Sequence, residues 1–183
     1  VDRATGEVKL LEVAAVVDCG TVIHPAAAEG QVQGAVMQGV GYAMIEYFDW
    51  YNGAPTDPNF IDYPLPSAAM IPRMHVGFAD SYEPSGPFGA KGLGEIGLDA
   101  IPAAIANAIA AAVGVRITEL PITAEKVHRA LHPDLYANEP AKALTLTKQR
   151  GELQRQLDSA ETAWLEASEA YDSARAEIGL SPL

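Results

Sequence analysis

The alternation of apolar and polar residues at the start of the chain predicts a β-strand. Residues 8–17 alternate between the two types and then become continuously apolar, as expected for a strand with one buried face. Thr5 and Gly6 form a predicted turn just before it. The chain is thus expected to begin inside a hairpin, with the upstream half of the domain missing or on another chain, and a short native start as the alternative.

The segment 24–48 has the apolar spacing of a helix, although it contains four glycines that each cost about 1 kcal/mol relative to alanine. A helical wheel groups its residues by type. Successive arcs carry Gly30, Gly34 and Gly41, then Gln31 and Gln38, then the apolar Val32, Val36, Val40, Ala43, Met44 and Tyr47. Two interpretations remain open. The glycines admit a closely packed backbone, or they form a groove for a flat polar ligand, which amide side chains bind as donors and acceptors.

Residues 49–87 are rich in proline, glycine, asparagine and aspartate, which predicts a long ordered loop region with one short strand at 74–80.

The helical pattern returns after residue 100. Pro102 suits the first turn of this second helix, and Gly114 is placed to end it in a left-handed conformation. Its predicted apolar face repeats every four residues, at Ile101, Ile105 and Ile109.

Between these elements lies the stretch "GPFGAKGLGEIG", residues 86–97, with five glycines and a single carboxylate, Glu95. A glycine loop that runs into a helix N-terminus is a familiar cradle for anions or cofactors, because unpaired backbone N–H groups converge there. Lys91 is followed by glycine rather than by serine or threonine, so the loop is not a P-loop. On this local pattern Glu95 fits a helix-capping or solvated role as well as a catalytic one.

Composition narrows the function classes. Twenty-four acidic residues against twelve basic ones give a net charge of -12, which disfavours nucleic acid and anionic lipid surfaces. The apolar runs are interrupted well before the ~18 residues of a membrane span, so we expect a soluble, cytoplasmic protein without membrane contact. The only cysteine, Cys19, is expected to be a small buried side chain that fills space in the core. The histidines do not have the spacing of metal ligands, so we expect no metal site made by protein side chains alone.

Two blocks together, "EGQVQGAVMQG" and "GAKGLGE", carry a specific resemblance. Residues 1 to about 131 resemble the C-terminal part of the molybdenum-binding subunit of the xanthine dehydrogenase and aldehyde oxidase family. The resemblance implies an α+β fold, in which a partial molybdopterin-binding domain with a mixed sheet and packed helices occupies residues 1–132. It implies hydroxylation of an aldehyde or N-heterocycle, with water as the oxygen source.

The same resemblance implies roles for individual residues. Gln31 lies beside the molybdopterin cofactor, alone or as its cytosine dinucleotide, and Glu95 is the general base. Lys91, Gly92 and Gly94 are expected to bind the cofactor. The electrons taken from substrate then leave through iron–sulfur clusters and FAD. Neither group has a binding motif here, so both are expected on partner chains or domains.

Residues 133–183 form a tail of a different kind. Their apolar residues follow alternating spacings of four and three, which predicts a long coiled-coil helix that needs a partner. The seam comprises Leu153, Leu157, Ala160, Trp164, Ala167, Tyr171, Ala174 and Ile178. Asn138 is placed to cap this helix, and Gly179 and Pro182 to end it. The tail resembles the C-terminal coiled coil of ABC-F type ATPases, without their nucleotide-binding motifs. An alternative to the enzyme is therefore a non-catalytic scaffold that presents this helix.

The expected incompleteness of the cofactor site gives a first prediction. The purified 183-residue chain, made in cells that synthesise molybdopterin, should contain far less than one molybdenum atom per chain, because only part of the site is present. Elemental analysis measures the ratio. Near-stoichiometric molybdenum would contradict the prediction, and co-expression with the missing parts of the subunit is the positive control.

Overall fold

The computed structural model describes residues 1–56, 59–60 and 63–177. The chain divides into two compact units, Val1–His132 and Pro133–Leu183, which we call the body and the tail. Each unit is described by itself.

The body contains two short sheets rather than the predicted mixed sheet. Strand β1 (Glu12–Val17) pairs in parallel with β4 (Arg73–Phe78), with Val17 opposite Phe78. Strands β2 (Trp50–Tyr51) and β3 (Ala54–Pro55) form a separate antiparallel hairpin. Within the described residues the two pairs do not join. A tight turn connects β2 to β3, and both of its central residues, Asn52 and Gly53, have positive φ.

The ends of the predicted strands need correction. The first strand begins at Glu12 rather than at residue 8, because its neighbour β4 begins at Arg73, the residue opposite Glu12. The second strand runs over Arg73–Phe78 instead of 74–80. The turn before β1 is present: the Asp2 and Glu7 backbones are hydrogen bonded, and Gly6 has a φ of 77°.

Helix α1 (Pro25–Met44) is the longest element of the body. His24 caps it, since its Nδ1 accepts from the N–H of Ala27 at 3.1 Å. The helix ends four residues before the predicted end because the N–H groups of Ile45 and Glu46 both bond to the Gly41 carbonyl. Tyr47 therefore lies beyond the helix and is 57% exposed, so its predicted place on the apolar face is wrong.

Helices α2 (Ile96–Asp99) and α3 (Ile101–Val113) pack against α1, and α4 (Ala124–Leu131) completes the body. The predicted face of α3 is confirmed, and its left-handed end is Gly114, with a φ of 79°. Cys19 is buried, as predicted. The buried core cluster lies mainly on α1 and α3: Val17, Val32, Val36, Val40, Ala43, Met44, Ile101, Ile105, Ile109, Val113, Ile122 and Val127.

Two α1–helix contacts require glycine. A Cβ at Gly39 would lie 2.7 Å from the Cβ of Ile101, and a Cβ at Gly97 would lie 3.0 Å from that of Ala35. By contrast, Gly30 and Gly34 have nothing within 4 Å, so no described backbone packs on them. Close packing against another element therefore explains some of the α1 glycines, such as Gly39, but not Gly30 and Gly34.

One stretch of the described residues, 96–113, is apolar and long enough to cross a membrane by length and composition alone. It comprises α2 and α3. The buried residues of α3, Ile101, Ile105, Ile109 and Val113, belong to the core cluster. Packing inside the body thus accounts for the apolar face formed by these four residues, while 28% of the whole stretch is buried.

The tail consists of α5 (Pro133–Asn138) and α6 (Pro140–Glu177). Asn138 ends α5 instead of capping α6, because the first carbonyl to accept a bond in α6 is that of Glu139, from Ala143. The long predicted helix is present. Its pairing as a coiled coil stays a prediction, and Ile178, Gly179 and Pro182 lie outside the described residues.

The α1 glycines provide a matched pair of stability predictions. Gly39→Ala should lower the free energy of unfolding by about 2 kcal/mol, because the added methyl group overlaps Ile101 in a packed core. Gly34→Ala, on the open side of the same helix, should raise it by about 1 kcal/mol through helix propensity. Urea unfolding of the full chain measures both. Equal effects of the two substitutions would contradict this packing.

Candidate functional site

The first half of the glycine-rich loop is fixed on the segment that follows β1. The carbonyl of Gly89 accepts from the N–H groups of Thr21 at 2.9 Å and Glu83 at 3.0 Å, and the N–H of Lys91 donates to the Cys19 carbonyl at 2.8 Å. Gly89 has a φ of 82°, and a side chain there would overlap the ring of Tyr82. Glycine is thus required at this position both by conformation and by space.

The second half of the loop is open. The backbone N–H groups of residues 92–95 have no hydrogen-bond acceptor among the described residues. A Cβ at Gly92 or Gly94 would meet nothing within 4 Å. Four consecutive backbone donors therefore lie on an exposed, unobstructed surface, which is the arrangement that anionic and polar ligands use.

Gln31 of α1 reaches this loop. Its Nε2 donates a hydrogen bond of 2.6 Å to the Gly94 carbonyl, across 63 positions of sequence. Its Oε1 has no partner among the described residues and remains available as an acceptor. Gly30 and Gly34 beside it leave the helix surface open. The amide of α1 and the free loop donors are thus brought to one place, as the groove interpretation requires.

Glu95 lies directly before α2, next to Gly94. Its carbonyl accepts from the Leu98 N–H at 2.9 Å, but its side chain makes no capping hydrogen bond. The carboxylate is exposed and has no ion-pair partner among the described residues. The helix-capping role is therefore not observed, and the carboxylate remains solvent-exposed beside the free loop donors.

Lys91 is held by a partner that the sequence analysis did not identify. Its Nζ lies 2.6 Å from Oδ2 of Asp18, while Oδ1 of the same carboxylate accepts from the Ser81 hydroxyl and, at 3.1 Å, from the Gly20 N–H. The hydrogen bond from Lys91, with those from Ser81 and Gly20, lowers the pKa of Asp18 to about 2. The predicted cofactor-binding role of Lys91 stays a prediction; its observed contact anchors the loop.

The place of Asp18 in the sequence, just after a predicted strand, is a signal from which its contact with the loop could have been predicted. It follows the last residue of β1 directly, and groups at the carboxyl ends of parallel strands often line a binding crevice. Ser81 lies three residues after the end of the partner strand β4, at the same edge of the sheet. A cavity of about 280 Å³ opens beside this edge, lined by residues that include His24, Ala27 and Leu93.

The donor set indicates which kind of group suits this place. The described residues contain no cluster of three or more histidine, cysteine, aspartate or glutamate side chains able to hold a metal ion. The neutral donors of residues 92–95 and the Gln31 amide instead suit an organic molecule with anionic or heterocyclic edges. Molybdopterin is such a molecule, and the residues present fit it.

Comparison with known proteins supports the same assignment. Residues 1–72 match the molybdopterin cofactor-binding domain. The gamma subunit of the 6-hydroxypseudooxynicotine dehydrogenase complex of Paenarthrobacter nicotinovorans is 43% identical over 130 residues, or 69% of this chain and 16% of that protein. The xanthine dehydrogenase molybdenum-binding subunit of Escherichia coli O157:H7 is 35% identical over 134 residues, or 72% of this chain and 18% of that protein.

A solved structure agrees with these sequence relations. The aldehyde oxidoreductase of Desulfovibrio gigas superposes with a TM-score of 0.66 at 36% identity, covering 72% of this chain and 14% of that one. The chain is related to molybdopterin oxidoreductases. The similarity agrees with the predicted relation to this class of enzyme, and the matched model is described as a molybdopterin cofactor-binding domain.

The similarity covers only a small part of each relative. This chain spans less than a fifth of the length of the curated oxidoreductases that it matches, 16% and 18% in the two cases above. The roles of Gln31, Lys91, Gly92, Gly94 and Glu95 stay predictions. So does the resemblance of the tail to ABC-F type ATPases.

The Asp18 anchor predicts a pH dependence. The pKa of folded Asp18 is below its ordinary value, so its ionised form stabilises the folded chain above about pH 4, and this contribution is lost as the pH falls through about 2. Asp18→Asn should therefore lower stability at pH 7, and its difference from wild type should shrink between pH 4 and 2. Thermal melts across this range measure it. Asp99→Asn, an exposed carboxylate outside the anchor, is the control, and equal losses for both variants would contradict the prediction.

Proposed function

We propose that the chain is part of a molybdenum hydroxylase that hydroxylates an aldehyde or N-heterocycle with water as the oxygen source. The observation that carries the proposal is the 2.6 Å hydrogen bond from Gln31 to the Gly94 carbonyl. It brings the α1 amide, the free N–H groups of residues 92–95 and the Glu95 carboxylate into one exposed site. Two relatives named as dehydrogenase subunits, one of them as a molybdenum-binding subunit, support the same chemistry.

In this proposal the chain holds one side of the cofactor. The amide of Gln31 and the N–H groups of Gly92 and Gly94 bind its polar edges, and the open surface at Gly30 and Gly34 admits a flat ring system. When bound, the molybdenum cofactor supplies the oxidising power and accepts two electrons from the substrate. Lys91 contributes through Asp18, by fixing the loop that presents these donors.

Glu95 is the proposed general base. Its carboxylate accepts the proton of the water-derived nucleophile as the new C–O bond forms, which requires an ionised group that no other side chain holds. The structure supports this requirement, because the Glu95 side chain makes neither a capping bond nor an ion pair with the described residues. Its backbone carbonyl accepts the bond from Leu98, and its neighbour Gly94 accepts the bond from the Gln31 amide.

The remaining parts of the enzyme are proposed to lie elsewhere. The matched relatives are five to seven times longer than their aligned segments, so the rest of the molybdenum-binding subunit completes the site and the substrate pocket. Iron–sulfur clusters and FAD on partner chains or domains take the electrons onward. One relative is named as the gamma subunit of a complex, which supports partners of this kind.

The base role is tested by Glu95→Gln in the complete enzyme. Glutamine keeps the size and hydrogen-bonding reach of the side chain but cannot accept the proton. The rate of molybdenum reduction by substrate in a single turnover should fall on the order of 100-fold or more, while bound molybdopterin is unchanged. Equal rates at matched metal content would remove Glu95 from the mechanism.

Two control sets separate chemistry from structure. Glu125→Gln removes an exposed carboxylate of α4 that pairs with Arg129, and should leave the rate unchanged. Gly92→Val and Gly94→Val place side chains among the free donors, and should reduce cofactor content as well as rate. A variant that loses rate and cofactor together is thus distinguishable from one that loses the base alone.

A further inference from the structure

A pocket of about 180 Å³ lies beside the last turns of α1, at the end of the helix that is farther from Gln31. Three segments line it: the residues that lead into β1, the end of α1, and a 3₁₀ helix (Ala68–Met70) with the residue after it. The lining residues are Val8, Lys9, Leu10, Val40, Met44, Ala69, Met70 and Ile71. None of them belongs to the glycine-rich loop, so this pocket is distinct from the candidate site described above.

Contacts within the body hold the walls of this pocket in place. The Arg73 N–H donates to the Leu11 carbonyl at 3.1 Å, which ties the chain after the 3₁₀ helix to the chain that leads into β1. On the other side, a Cβ at Gly41 would lie 2.8 Å from Cγ of Pro66, so the chain before the 3₁₀ helix lies directly against α1. The three walls are thus fixed by the fold, and the pocket is preformed, as small-molecule sites usually are.

The lining of the pocket suits a flat apolar group. Val40 and Met44 are buried members of the core cluster, and Val8 and Leu10 are partly buried against the same cluster. The thioethers of Met44 and Met70 adapt to the shape of a ligand and make favourable contacts with aromatic rings. An apolar protein cavity of about 150 Å³ is large enough to take up benzene. A pocket of about 180 Å³ therefore admits one six-membered ring with a small substituent.

Lys9 is the charged residue of the lining, and it selects the substituent. It is exposed, and its side chain has neither a hydrogen bond nor an ion pair with the described residues. No carboxylate belongs to the lining. An ammonium group without a counter-charge at the edge of an apolar pocket favours a ligand that carries an anion, because the ion pair adds to the burial of the ring.

We propose that this pocket binds a small aromatic carboxylate, with its ring against Met44 and Met70 and its carboxylate beside the Lys9 ammonium. The apolar lining matches the ring, and the unpaired charge matches the anion. The proposal is independent of the molybdenum chemistry, because the lining shares no residue with the glycine-rich loop and does not include Gln31.

Nuclear magnetic resonance of the full chain tests the site, with benzoate as the probe. Isotope-labelled methyl groups report separately on the four methionines of the chain, Met37, Met44, Met70 and Met74. The ring of benzoate should shift the signals of Met44 and Met70 along one saturating curve, with a dissociation constant on the order of 1 mM for so small a ligand. Met37 and Met74 do not line the pocket and are internal controls. Similar shifts at all four methionines, or none at Met44 and Met70, would overturn the proposal.

Substitution of Lys9 tests the recognition of the carboxylate. Lys9→Gln should weaken benzoate binding roughly fivefold, the contribution of one good exposed ion pair, and should leave binding of the neutral probe benzyl alcohol unchanged. Lys148→Gln removes an exposed lysine of α6 and is the matched control, which should alter neither dissociation constant. Equal benzoate binding by wild type and Lys9→Gln would overturn the proposed ligand class, because the ring alone would then account for the binding.

Discussion

The body of this protein depends on the close contact of α1 with the segment that contains α2 and α3. At Gly39 and Gly97 this contact leaves no space for a side chain without displacement of Ile101 or Ala35. Because α2 follows the glycine-rich loop directly, its packing on α1 also sets where the end of that loop lies. The hydrogen bond from Gln31 to Gly94 is possible only because the two backbones are this close.

The glycines of the site thus serve two physical purposes. Some allow elements to approach, as at Gly39, Gly97 and Gly89, where a side chain would overlap a neighbour. Others keep a surface open, as at Gly30 and Gly94, where a side chain would meet nothing in this chain. The second group is costly for stability, since alanine would favour a helix at position 30. An open surface beside free backbone donors is what the binding of a large flat cofactor requires.

The first half of the glycine-rich loop is held by hydrogen bonds, and the second half carries free backbone donors. Asp18, with its lowered pKa, holds Lys91 at the edge of the small parallel sheet, and the carbonyl of Gly89 is bonded twice. The backbone donors that follow are unpaired. This order resembles a general feature of binding sites, in which a rigid anchor reduces the conformational entropy that the free groups lose when a ligand binds.

The sequence by itself determined the local elements and indicated the proteins to which this chain is similar. The isoleucine repeat of α3, its left-handed glycine end and the helical period of α1 follow from side-chain spacing and backbone preference, which act over a few residues. The paired motifs around Gln31 and Glu95 were specific enough to indicate a molybdopterin oxidoreductase. The α6 helix was likewise predictable from its heptads. Its first residue was not, because local backbone geometry decides whether the carbonyl of Asn138 or that of Glu139 accepts the first helical hydrogen bond.

Only the tertiary structure decided which of these residues meet. The sequence could not separate packing glycines from open ones, since both look alike on a helical wheel and differ only in what lies opposite. Nor did it identify Asp18 as the partner of Lys91, 73 positions away, because an ion pair of this kind has no local pattern. The register of β1 against β4 likewise depends on which strand lies alongside, which is a property of the folded chain and not of either segment.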